Sequence, residues 1–264
     1  MNYYDQHVHT FLSFDSEERF ENYLAFQPQF FVATDHFDLK NPCSNYRDDI
    51  PNYELLQQCQ QTLQEQTATK ILKGIEIGVV PGQEAQICDY LEQHPYDLKL
   101  ISIHQNGIFD YMDDAVLAKD RFTVAKDYFA QMSTVLDTFS EGHILTHFDY
   151  GLRRLNFTAD ELAQHFEKDL LTIFKKVVAR ELAFEVNAKS FGRYQNAALY
   201  EYAILLYQSV GGKLFTLGSD AHRASDYSLL FPEMCQLLRS FGIERLAVFQ
   251  GDDRFLTVLP DNIY

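Results

Sequence analysis

Asp5-Gln6-His7-Val8-His9-Thr10 sets two histidines one residue apart, and Gly218-Ser219-Asp220-Ala221-His222 repeats that spacing far along the chain. On extended backbone alternate side chains share a face. His7 and His9 therefore address one cavity, as do Asp220 and His222, while Val8 and Ala221 point away. Six of the nine histidines fall in the same way, where an apolar, strand-like run ends. The runs are 3–9, ending on His7 and His9; 30–36, on His36; 70–78, carrying Glu76; 98–104, on His104; 144–147, on His147; and 213–222, on Asp220 and His222.

Helical patterns separate these runs, at 53–66, 84–93, 124–139, 159–181, 195–209 and 227–241, so the sequence predicts repeated βα units. A seventh strand is expected at 182–188, bearing Glu185 and Asn187, and a late, irregular one at 245–249. In a barrel of parallel strands, groups distant in sequence converge at the C-terminal strand ends, and the six histidines are expected to share that mouth. Thr158-Ala159-Asp160-Glu161 matches a capping box for the longest helix, and Gly142, Gly211 and Gly242 stand where helices should stop. Segment 37–52, with Pro42, Asn45 and Pro51, is the least regular stretch and is expected to be a loop over the site.

Imidazole and carboxylate donors without thiolate suit zinc, manganese or iron rather than a structural thiolate site or a calcium cage. Cys43, Cys59, Cys88 and Cys235 lack CxxC spacing and read as free thiols of a reducing compartment. The balance of 22 basic against 38 acidic residues, a formal charge of −16, opposes binding to a polyanion. With neither a secretory pattern nor an apolar run long enough to cross a bilayer, residues 1–264 are expected to form one soluble, cytoplasmic domain. His94, His143 and His165 lie at no strand end and are read as structural.

The opening motif, continued by Ser13 and Asp15, resembles that of the polymerase and histidinol phosphatase (PHP) superfamily. The resemblance continues in order through Thr34-Asp35-His36, Gly74-Ile75-Glu76-Ile77-Gly78, Ser102-Ile103-His104, Thr146-His147-Phe148-Asp149, Phe184-Glu185-Val186-Asn187 and Gly218-Ser219-Asp220-Ala221-His222. The size, and the insert between His36 and Glu76, look most like the stand-alone histidinol-phosphate phosphatases of bacterial histidine biosynthesis. This resemblance implies a distorted seven-stranded (β/α) barrel, TIM-like, with its metal site at the C-terminal strand ends.

Carried over by matched positions, it implies two to three divalent ions (Zn, Mn or Fe, mixed occupancy included). His7, His9, Glu76 and Asp220 would hold one; Glu76 would bridge to a second held by His104 and His147; Asp15, His36 and His222 would hold the third. Some members have histidine where this chain has Asp15, and Asp15 also stands where it can cap the next helix. The implied reaction is hydrolysis of a small phosphate monoester, L-histidinol phosphate, by a hydroxide bridging the first two metals. Glu76, Asp220 and His222 are the residues assigned to catalysis, with His222 and Asp15 as candidates for protonating the leaving group. Asp149 is expected to orient a ligand. Arg193, Arg154, Lys189 and Arg223, each shortly after a strand end, are the phosphate-binding candidates. Phe191, Tyr194 and the loop after His36 are candidates for surrounding the leaving group. The alternatives are a relative acting on nucleotides or other small phosphate esters, and a non-catalytic metal-binding regulatory subunit.

Overall fold

The computed structural model describes residues 4–251 and 253–260. Tyr3, the first residue of the first expected strand, lies outside them. In chain order the elements are α1 Phe20–Leu24, β1 Phe30–Asn41, β2 Arg47–Asp49, α2 Tyr53–Gln64, β3 Lys70–Gly78, α3 Glu84–Gln93, β4 Leu98–Ser102, α4 Arg121–Thr138, β5 Ile144–Leu145, α5 Ala159–His165, α6 Glu167–Ala179, β6 Ala183–Asn187, α7 Ala197–Ser209, β7 Phe215–Gly218, α8 Phe231–Ser240, β8 Arg245–Gln250 and β9 Asp253–Val258.

Six of these strands run parallel in the order β1-β3-β4-β5-β6-β7, with β2 antiparallel on the outer edge of β1. Residues 5–9 link the two ends of this curled sheet. Gln6 N donates to Leu217 O at 3.0 Å and His9 N to Ala221 O at 2.8 Å on the β7 side, while Thr34 N of β1 donates to Val8 O at 2.7 Å. The segment makes isolated bridges rather than a regular strand, and it serves as the seventh stave of a distorted (β/α) barrel.

Side-chain alternation splits each stave into two faces. Phe31, Ala33, Ile71, Ile75, Ile77 and Ile101 point outward into the large core shared with the helices. Phe30, Val32, Leu72, Leu98, Leu100, Ile144 and Ala183 form a second, smaller cluster with Ala247, Val248 and Phe249 of β8. β8 therefore does not extend the barrel sheet. It pairs with β9 as a separate two-stranded ribbon and plugs the N-terminal end of the barrel.

Three further expectations are corrected. Segment 37–52 is not an open loop: β1 runs five residues past His36 and turns back through β2, with a bulge between Asp38 and Asn41. The helix expected at 159–181 is two, because the backbone leaves helical geometry at Phe166 (φ −129°, ψ 4°). There the Phe166 side chain is buried against Phe129 and Phe157. The helix expected from Tyr227 starts only at Phe231, behind a left-handed Leu230. Local signals are otherwise followed closely. Asn52 caps Leu55 N and Asp120 caps Thr123 N, both at 2.9 Å, and both halves of the Thr158/Glu161 capping box form. The four cysteines are free, and among the described residues no helix is long and apolar enough to cross a membrane.

Candidate metal centre

Parallel register sets the staves side by side, so residues at equivalent heights meet: His36 of β1 lies opposite Glu76 of β3. Glu76 is fully buried and sits at the centre of the arrangement. Its Oε2 is 3.3 Å from His7 Nε2 and 3.4 Å from His9 Nε2, and Asp220 Oδ1 is 3.6 Å from the same His9 nitrogen. The other oxygen, Oε1, is 3.1 Å from His104 Nε2 and 2.7 Å from His147 Nε2, and it accepts the Ser102 hydroxyl at 2.6 Å. Towards solvent, Asp15 Oδ2 is 3.0 Å from His222 Nε2 and 3.6 Å from His36 Nε2. All nine residues expected as metal ligands thus converge.

Donor atoms fall within 4.8 Å of one another in four overlapping groups: His9/His36/His222, His7/His9/Glu76, His7/His147/Asp220 and His36/Glu76/His104. His94, His143 and His165 belong to none of them. His94 stacks on Tyr90, His143 on Phe249, and His165 packs edge-on to Phe122.

Proton placement shows why this set fits cations. His7 Nδ1 meets Glu185 Oε1 at 2.7 Å, which makes it the donor and leaves Nε2 with a bare lone pair. Ser13 Oγ gives its single proton to Asp35, so it accepts from His9 Nδ1 at 3.1 Å and leaves that Nε2 bare too. The two bare nitrogens face each other at 3.1 Å beside a carboxylate oxygen, an arrangement that repels unless positive charge lies between them. Two buried atoms of the same cluster, His36 Nδ1 and Glu76 Oε2, face each other at 2.9 Å without the geometry of a hydrogen bond. The all-nitrogen and oxygen donor set, with carboxylate backing behind the imidazoles, is one that divalent ions such as zinc take.

Without a cation between them, the carboxylates of the cluster favour protons on its imidazoles. Burial alone would deprotonate His7, yet Glu76, Glu185 and Asp220 outweigh it and raise its pKa well above the ordinary value. His36 is raised in the same way, against burial, by Glu76 and Asp15, and His104 is raised to about 10 by Asp38 and Glu76. His9 goes the other way, driven down by burial and by the His222 and His36 charges. Glu76 stays ionised despite burial because His7, His104 and His36 surround it.

The cluster floors an open cavity of about 1040 Å³. Its walls carry Arg153, Lys189, Arg193 and Arg223, with Phe14, Met112, Tyr150 and Tyr194 as apolar surface and Glu17, Glu18 and Asp226 at the edge. Lys189 and Arg193 come from a π-helical turn, Lys189–Arg193, directly after β6. Lys189 Nζ is 3.0 Å from Asp220 Oδ1 and 3.2 Å from His222 Nδ1.

Arg154 does not reach this cavity. Its guanidinium bonds the Met112 carbonyl and Asp114, and its neighbour Arg153 turns inward instead. Arg153 is buried, donates to Asn187 Oδ1 at 3.0 Å, Asp220 Oδ2 at 3.1 Å and Ser190 Oγ at 2.8 Å, and lies between the Tyr150 and Tyr194 rings. Asp149 meets no ligand: it accepts from Asn196 Nδ2 and Tyr200 OH. The backing carboxylates are Glu185, which also takes the His147 amide at 2.9 Å, and Asp38, 3.0 Å from His104 Nδ1. Phe191 packs against the core and does not line the cavity. Gly218 is required beside Glu185, since a Cβ there would lie 2.1 Å from Glu185 Oε1. Asp220 holds a left-handed φ of 56°, a strained geometry for a residue that aims a carboxylate into the site.

The family model of the PHP domain matches residues 5–189. A histidinol-phosphatase of Lactococcus lactis subsp. lactis is 24% identical over 255 residues, which is 94% of this chain and 94% of that protein. A probable histidinol-phosphatase of Clostridium acetobutylicum is 26% identical across 92% of this chain and 98% of its own length. One from Thermotoga maritima is 25% identical across 92% and 94%. Among solved structures, the Lactococcus lactis histidinol phosphate phosphatase complexed with zinc, L-histidinol and phosphate superposes with a TM-score of 0.83 at 23% identity, covering 95% of this chain and 98% of that one.

Proposed function

Since the chain belongs to the PHP domain family, we propose that it is a metal-dependent phosphatase that hydrolyses L-histidinol phosphate to L-histidinol and inorganic phosphate. The observation that carries this reading is one buried carboxylate, Glu76, shared between two imidazole pairs, with one oxygen turned to His7 and His9 and the other to His104 and His147, under a cavity edged with cations. The choice of substrate is supported by relatives along almost the whole chain named histidinol-phosphatase or probable histidinol-phosphatase, and by the related structure described with zinc, L-histidinol and phosphate. Four free cysteines suit a cytoplasmic enzyme, and residues 1–264 act as one metallophosphoesterase domain.

His7, His9, Glu76 and Asp220 would hold one divalent ion, Glu76, His104 and His147 a second, and Asp15, His36 and His222 a third. Bound there, the ions supply a water nucleophile acidic enough to ionise near neutral pH, and charge to offset that of the phosphoryl group. The protein supplies the rest. Glu185 and Ser13 hold His7 and His9 with Nε2 inward. Arg193, Lys189 and Arg223, joined by Arg153, bring donors to a dianionic phosphate entering the cavity. Tyr194, Phe14 and Met112 give the leaving group an apolar wall, and the edge carboxylates attract its ammonium.

The test is kcat/KM for phosphate release from L-histidinol phosphate, a nucleoside monophosphate and an aryl phosphate, with zinc- or manganese-loaded protein. A preference of several orders of magnitude for histidinol phosphate is expected, because such discrimination needs transition-state contacts to the imidazole and amine. Similar slow rates on all three would keep the metallophosphatase and remove the substrate, and equal rates from chelator-stripped protein would remove both.

A further inference from the structure

The five residues by which β1 overruns the barrel rim bring one carboxylate back to the metal centre. Asp38 is the register partner of Gly78 on β3 and is 1% exposed. Its two oxygens lie 3.0 and 3.2 Å from His104 Nδ1. Gly78 leaves the room: a Cβ there would sit 1.8 Å from Asp38 Oδ1 and 3.0 Å from His104 Nδ1. The overhang itself is pinned, because the Leu39 carbonyl accepts the side-chain amides of Gln83 and Gln105, each at 3.1 Å.

From this geometry we infer that Asp38 is a positioning residue for the reaction, fixing the His104 ring in the tautomer that aims Nε2 at Glu76 and at a shared metal. The inference rests on the metal-centre reading of the preceding subsection. Its chemistry is that of a carboxylate behind a ligating histidine. Accepting the Nδ1 proton selects the bare Nε2, orients the ring and makes it a better donor. Glu185 holds His7 in the same relation from the opposite wall, so the two sides of the Glu76 carboxylate are backed by carboxylates from different staves. The hairpin after His36, none of whose residues 37–52 lines the cavity, is thereby assigned a role in metal binding.

The experiment compares zinc-loaded wild type with Asp38→Ala, Asp38→Asn and Gly78→Ala. The first removes the carboxylate, the second keeps its shape and an acceptor, and the third pushes it aside without deleting it. Zinc affinity is read by chelator competition, beside nitrogen-15 spectra of the histidine rings. Losses of about 10- to 100-fold are typical when such a backing partner is removed. In Asp38→Ala one zinc is expected to weaken by that factor and kcat to fall with little change in KM. Asp38→Asn should recover most of the loss, and Gly78→Ala should resemble Asp38→Ala. In the wild-type spectrum His104 should ligate through Nε2 and show a downfield, carboxylate-bonded Nδ1 proton. That spectrum needs no variant to fold.

His104 bound through Nδ1, or full zinc affinity with an unchanged His104 signal in Asp38→Ala, would overturn the inference while leaving the metal centre standing. Failure of the wild-type protein to take up zinc, manganese or iron would instead overturn the metal reading, and the inference with it.

Discussion

At the N-terminal end of the barrel the inward positions of the staves are Val32, Leu72, Leu100, Ile144 and Ala183, packed beneath Ala247, Val248 and Phe249. A pleat or two further along the same staves the inward positions are His36, Glu76, His104, Glu185 and Asn187. Both regions are buried and both are built on one alternation, yet their energetics are opposed. The lower end gains from removing apolar surface from water and needs no partner beyond close packing. The upper end crowds imidazoles and ionised carboxylates together away from water, a cost that protons offset in part and bound cations would offset further. Stability and chemistry are thus separated along the barrel axis, and lesions at the two ends should have separable consequences.

The largest expected effect lies at the upper end. Glu76→Ala removes the oxygens that face both imidazole pairs, so metal content should fall and kcat should drop on the order of 1000-fold or more, beyond the loss of a single electrostatic contact. Metal analysis and steady-state kinetics on the purified variant check this. Full metal content with full turnover would break the assignment of Glu76 as the shared ligand.

The lower end should respond in the opposite sense. Phe249 is 4% exposed and stacks on His143 at 5.1 Å between ring centroids, so Phe249→Ala should cost about 3–5 kcal/mol of stability through lost burial and a cavity. Its kcat/KM per folded molecule should match wild type. Denaturant unfolding and kinetics measured on one preparation decide it, and a large fall in kcat without loss of stability would show that the two ends are coupled.

A third, smaller effect concerns the protons that occupy the metal-free centre. His104 carries a pKa of about 10 there, so at pH 7 it holds a proton that a metal at Nε2 must displace; His7 and His36 are raised as well. Zinc binding at pH 7 should therefore release protons. Apparent affinity should rise with pH by about tenfold per unit for each proton displaced, until pH approaches the raised pKa values. Calorimetry in buffers of different ionisation enthalpy measures the count, and zero release would contradict the proton-for-metal exchange.

The upper end was also the more legible in sequence, for a physical reason. A histidine closing an apolar run announces both its stave and its height, and period-two alternation does the rest, which is why His7, His9, His36, His104, His147 and His222 could be placed together. What depends on contacts between staves carries no such signal. Asp38 acts on His104 across β3, and Glu185 on His7 across β7. Arg153 and Arg154 differ only in which way the turn after Tyr150–Leu152 sends each side chain. The plug is the least legible part: the sequence predicts only a late, irregular strand at 245–249, and its partner β9 has no apolar periodicity that points into a barrel.

Helix α5 contributes no residue to the cavity wall or to the lower apolar cluster, and it sharpens the comparison by showing what a purely local lesion does. Thr158 Oγ1 accepts from Glu161 N at 3.2 Å, and Glu161 Oε2 accepts from Thr158 N at 3.0 Å, closing the capping box that the sequence announces. Thr158→Ala opens one half of that box and frees one amide of the first turn, a loss of about 1 kcal/mol by the usual worth of a threonine cap. Glu161 remains held by Arg121, so the helix start should fray without detaching. Thermal unfolding should show a drop of a few degrees, with metal content and kcat/KM unchanged. An activity loss larger than the stability loss would mean that the helical shell transmits strain to the mouth, and the separation of the two ends would then hold only along the barrel axis.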